Sequence, residues 1–128
     1  MQTLEHDIRP WGEYQVLLDD YNVKVKKITV KTSGRLSYQS HEHRSETWVC
    51  IQGMGLVTIN GCDQVISPKR TVYIEQGCKH RITNISPIYR DEKGIEKQDD
   101  LIFIEVQHSN EGTFDESDIT RYEDDYGR

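Results

Sequence analysis

Gln39, His41 and His43 fall at positions i, i+2 and i+4, and on an extended strand three such residues project to one face. Glu46 follows three residues after His43 and opens the run TWVCIQ, where it shares a face with Trp48, Cys50 and Gln52. A turn around Arg44-Ser45 would fold Glu46 back beside the first strand. His80, three residues past Gly77, lies on a distant strand placed to close the set. An amide oxygen, two imidazoles and a carboxylate form a mixed nitrogen and oxygen donor set. It suits one divalent ion of Zn, Mn, Fe, Co or Ni better than Ca or Mg. Four protein donors, Gln39, His41, Glu46 and His80, leave room for water or a ligand on the ion. The plainer reading is two surface histidines on a polar strand and an unrelated third, and H-x-H alone does not separate the two.

The elements that must position these residues read as short strands. Residues 23–26 alternate, and residues 28–30 alternate again one position out of phase, which predicts a bulge near Lys27. Further strands are expected at 47–52, 55–59, 63–66, 71–74, 81–84 and 101–106. Gly34, Gly53, Gly61 and Gly77 punctuate them, and Asn60-Gly61 is a hairpin turn. Many short strands between turns predict an all-β sandwich or barrel with little helix. Within a single domain of residues 1–128, residues 1–20 read as an N-terminal arm and first strand, and 86–100 as an exposed loop. Residues 108–128 read as an acidic tail, with Asp115 capping one helical turn to Ile119.

The net charge of −6 makes nucleic acid and anionic membranes poor partners. Three cysteines, an odd number with no C-x-x-C, point to a reduced chain without a disulfide framework. No run approaches the apolar length of a membrane span, and the expected location is the cytoplasm.

The segment from Gly34 to Gly53 resembles the first cupin motif, with Gln39-x-His41, four residues, Glu46, six residues and Gly53. Gln39 takes the place of the usual first histidine. The segment from Gly77 to Asn84 resembles the second motif, G-x-x-H-x-x-x-N, with His80 as the fourth ligand. More closely, the chain resembles the cupin domain of type II mannose-6-phosphate isomerases. Arg9-Pro-Trp-Gly-x-Tyr14 is similar to that family's opening motif, and Leu36 to Trp48 (LSYQSHEHRSETW) to its LSxQxHxHRxEHW signature. Ile104-Glu-Val-Gln107, Asp118-Ile119 and RYEDDYGR at Arg121 to Arg128 are similar to its ending. The chain departs from the pattern at Thr47, where the signature has His, and at Ser33, Lys69 and Glu75.

The resemblance implies a cupin double-stranded β-helix, a jelly-roll barrel, with one metal on Gln39, His41, Glu46 and His80. It also implies an aldose–ketose isomerase that interconverts mannose 6-phosphate and fructose 6-phosphate. That reaction needs a base of near-neutral pKa, and His43 is the first candidate because it shares the ligand face without matching a ligand position. The phosphate needs positive charge, for which Arg44, Lys79, Arg81 and Lys26 are candidates. A sugar phosphate is the expected partner, and a homodimer the expected assembly. Two other readings stay open: a non-catalytic sugar-binding or regulatory metal cupin, and a different metal-dependent cupin enzyme such as a dioxygenase or epimerase.

Overall fold

Runs of β-branched and aromatic residues, cut by turn residues, become strands wherever one face of each can be buried. A computed structural model describes residues 4–110, 114, 115 and 117–127. It contains β1 (Glu5–Arg9), β2 (Gly12–Asp20), β3 (Val23–Val30), β4 (Tyr38–Ser40), β5 (Ser45–Gln52), β6 (Gly55–Ile59) and β7 (Cys62–Ile66). These are followed by β8 (Thr71–Ile74), β9 (His80–Asn84), β10 (Ile88–Arg90), β11 (Glu96–Gln98), β12 (Leu101–His108) and β13 (Thr120–Glu123). All pairings are antiparallel. One sheet runs β1-β2-β3-β12-β5-β8 and the other β13-β4-β9-β6-β7. Asn60 and Gly61, at φ 48° and 82°, make the expected hairpin turn between β6 and β7. No helix of the described residues is long and apolar enough to cross a membrane.

Three neighbouring strands grade the interior from apolar to polar. In β12 the inward residues are Leu101, Phe103, Glu105 and Gln107. Leu101 pairs with Val30, and Phe103 with Ile28 and Cys50, all buried in the hydrophobic core. Further along, Glu105 pairs with Lys26 and Trp48, and Gln107 with Lys24 and Glu46. Apolar packing therefore closes one end of the barrel, and charged groups fill the other.

Three local expectations change. The bulge near Lys27 is absent: β3 alternates without a break, and Lys24, Lys26, Ile28 and Val30 all point inward. The apolar pattern slips because two lysines face the interior, and the register irregularity lies in β2, between Val16 and Leu18. The loop at 86–100 is exposed as expected, but it contains the hairpin β10–β11. At 115–119, Asp115 accepts the amides of Ser117 and Asp118 in a single turn, not a turn of helix.

Candidate metal centre

His41, Glu46 and His80 converge at the polar end of the barrel, all three buried, with one donor atom of each within 4.8 Å of the others. Glu46 enters from β5, the long central strand that also buries Trp48 and Cys50. His80 opens β9. The turn before it is held by Cys78 N donating to Glu75 O at 3.1 Å, and by Gly77 N donating to His41 O at 2.8 Å. Gly77 has φ 84°, a conformation glycine adopts without cost.

Each histidine is fixed by a carbonyl, which can only accept. His41 Nδ1 donates to Asp118 O at 2.7 Å, and His80 Nδ1 donates to Cys78 O at 2.9 Å. Both Nε2 atoms are therefore left with lone pairs, the state a metal ligand needs. His41 Nε2 lies 3.4 Å from Glu46 Oε2, and His80 Nε2 lies 3.6 Å from Glu46 Oε1. His80 Nε2 is buried without a hydrogen-bond partner. A buried acceptor left unsatisfied is costly. That atom, a second imidazole nitrogen and a carboxylate together fit a divalent ion well.

Arg44 donates through Nε to Glu46 Oε2 at 2.9 Å and through Nη2 to His41 Nε2 at 3.1 Å. Trp48 Nε1 donates to Glu46 Oε1 at 3.1 Å. Burial would raise Glu46, but Arg44, with the two histidines, brings it down to about 2. Burial pushes His41 down to about 4, against the pull of Glu46. With His41 neutral at pH 7, Arg44 is the main charge that keeps Glu46 ionised.

Beside this group lies a cavity enclosing about 530 Å³ of empty space, its open mouth included. Arg44, Gln39, Lys26, Glu105, Tyr14, Arg9 and Arg121 are among its lining residues. Glu105 is buried and accepts a short hydrogen bond from Gln107 Nε2. Burial and the nearby charge of Glu46 push Glu105 up to about 7, against Lys26 and Arg44. Lys26 Nζ sits 4.3 Å from the centre of the Tyr14 ring.

The sequence candidates divide sharply between the inside and the outside. His41, Glu46, His80 and Arg44 come together, and Lys26 lines the cavity. Gln39 pairs with His80 across β4 and β9 and lines the cavity, its Oε1 accepting from Ser37 Oγ at 3.2 Å. His43 does not share the ligand face. β4 ends at Ser40, and His43 is exposed in a separate shallow pocket with Glu42 and Asp118. Lys79 is exposed, over the Tyr122 ring at 4.3 Å. Arg81, one residue after inward-facing His80, donates to Leu36 O at 2.8 Å and to Glu123 O at 3.1 Å. It ties the C-terminal segment to β9 and does not line the cavity of Lys26 and Arg44. Sequence reasoning missed Glu105 and Asp118. The inward parity of Leu101, Phe103 and Glu105 was a usable signal for the first, whereas Asp118 meets His41 from 77 residues away.

A family model described as "Mannose-6-phosphate isomerase C-terminal" matches residues 1–124. The chain is 37% identical over 120 residues to mannose-1-phosphate guanylyltransferase ManC of Salmonella typhimurium, covering 94% of this chain and 22% of that protein. It therefore spans about a fifth of the length of that curated relative. Among solved structures, the capsular polysaccharide assembling protein CapF of Staphylococcus aureus matches with a TM-score of 0.75 at 16% identity, over 96% of this chain and 33% of that one. The cupin domain of Cnp3 from Schizosaccharomyces pombe matches with a TM-score of 0.69 at 11% identity, over 87% and 78%. The fold is thus the expected cupin double-stranded β-helix.

The comparisons overturn the expected activity. The curated relatives are named for guanylyl transfer, and this chain matches less than a quarter of their length. That match does not give the cupin domain itself the expected isomerisation of mannose 6-phosphate and fructose 6-phosphate. The role of His43 as its base falls with it.

Proposed function

Because this chain belongs to the mannose-6-phosphate isomerase C-terminal family, we propose that it is a metal-bearing cupin domain that binds a sugar phosphate. Its curated relatives are enzymes by name, and the domain would serve such an enzyme as a binding module. The observation that carries the metal reading is the buried, unpartnered His80 Nε2 facing Glu46 and His41. Gln39 is the proposed fourth donor. A divalent ion bound there would supply Lewis acidity and an anchor for ligand oxygens.

The cavity supports the ligand class. Arg9, Lys26, Arg44 and Arg121 line it against one acid, Glu105, in a chain of net charge −6. A compact anion with hydroxyl groups matches that lining: Arg44 and Lys26 for the phosphate, Glu105 and Gln39 for hydroxyls. The cytoplasmic setting and the homodimer expected from the sequence belong to the same reading. A monomer in sedimentation equilibrium at micromolar concentration would remove the homodimer from it.

Isothermal titration with mannose 6-phosphate tests the binding reading, once with Mn²⁺ present and once after chelation. The expected result is heat of binding only with metal, weakened in Arg44→Gln. A metal-loaded chain that binds no sugar phosphate would overturn it.

A further inference from the structure

The segment from Ser117 to Tyr126 lies along the outside of the barrel, yet it reaches the metal ligands, pairing Arg121 with Gln39 and bonding Asp118 to His41. Asp118 does three things there. Its carbonyl oxygen accepts from His41 Nδ1 at 2.7 Å. Its carboxylate accepts the amides of Glu42 and His43, at 2.9 and 3.0 Å. The His41 ring and the two residues that follow it are thus held by one residue. Beyond Asp118, Tyr126 packs against the core and Arg121 lines the cavity. β13 is exposed along its length and, among the described residues, pairs with β4 alone. It is pinned by Arg35 on Asp125, by Arg81 on Glu123, and by Tyr122 Oη against Ser40 Oγ at 2.9 Å.

We infer that this segment is a latch for the metal centre and that Asp118 is the positioning residue that aims His41 at the ion. The inference rests on the proposed metal reading. The carbonyl fixes which ring nitrogen carries the proton, so that Nε2 is the ligand atom, and the carboxylate fixes the loop that carries the ring. An exposed edge strand paired on one side opens at lower free-energy cost than the core strands do. When it opens, His41 loses its acceptor and its orientation together. Because linkage is reciprocal, an ion on His41, Glu46 and His80 also holds the segment down.

The test is Co²⁺ titration of the full chain, followed by the visible absorption of the bound ion, with wild type, Asp118→Ala, Asp118→Asn and His80→Ala. Asp118→Ala is expected to bind about 10- to 100-fold more weakly, and Asp118→Asn, which keeps one acceptor, between it and wild type. Asp118→Ala binding within about twofold of wild type, with the same spectrum, would overturn the latch. Should Asp118→Ala fail to fold, amide exchange in the wild type decides. The amides of Glu42, His43 and residues 120–123 are expected to exchange more slowly on adding Co²⁺, and unchanged rates would overturn the inference. A wild type that binds no Co²⁺ at all sinks the metal reading instead, an outcome distinct from either of these.

Discussion

Glu46 and Glu105 stand on adjacent strands, two residues apart in register, and both are buried. Their acidities move in opposite directions, to about 2 and to about 7. Glu46 receives Arg44 Nε and Trp48 Nε1 and has two imidazoles facing it. Glu105 receives Gln107, shares Lys26 with the Tyr14 ring, and lies in the field of Glu46. Burial is the same for both, so the partners decide the charge. One end of the barrel thus separates into a permanently anionic metal-ligand group and a cavity acid poised to hold a proton near neutrality.

The largest way to break this comparison is Glu46→Gln, which strands Arg44 beside an amide. Removing one partner of a buried ion pair is expected to cost about 3–5 kcal/mol, read by urea denaturation in the presence of chelator. A loss under about 1 kcal/mol would mean that Arg44 finds another partner and does not hold Glu46 ionised.

Glu105→Gln sharpens the comparison through pH. The folded pKa of Glu105, about 7, lies above its ordinary 4.5. Its contribution to stability is therefore full below pH 4.5 and is lost as pH rises through 7. His41, lowered from 6.5 to about 4, has the opposite sign: its contribution is present above 6.5 and is lost as pH falls through 4. The two oppose each other across the interval they share. With Gln at 105 the opposition is gone, and stability should climb with pH between 4.5 and 6.5 more steeply than in wild type, by roughly 1–3 kcal/mol over that interval. Parallel curves for the two proteins would contradict the assignment.

Lys26→Met tests the cavity side. It is expected to weaken sugar-phosphate binding by roughly 10-fold, as one charge-assisted contact is lost, and to raise the pKa of Glu105 further. The smallest effect belongs to the outer face. Lys79→Ala removes an exposed cation–π contact with Tyr122, and should leave ligand affinity unchanged and stability within about 1 kcal/mol. A large loss of ligand affinity there would place the phosphate on the wrong side of β9.

Local pattern carried the strands and the three convergent ligands, because glycine-bounded runs and period-2 alternation are decided within a few residues. It failed where polar residues face inward. Lys24 and Lys26 imitated a bulge, since an alternating strand with charged interior positions looks like one shifted in phase. His43 was placed on the ligand face by assuming that the strand continued past Ser40. The amides of Glu42 and His43 instead donate to Asp118, and that pairing is set by contacts more than 70 residues apart in sequence. Arg81 was a plausible phosphate ligand by proximity to His80, yet neighbours on a strand point to opposite faces. Glu105 was legible in parity, but a lone acid in an apolar strand gives no sign of its partners until Lys26 and Trp48 are set beside it.

Elemental analysis of the purified chain tests the central claim most directly, with the His41→Ala, His80→Ala double variant purified beside it. The account predicts a single divalent ion per wild-type chain and none on the folded double variant. Wild type without metal, or a double variant that retains it, would contradict a centre built on His41, Glu46 and His80.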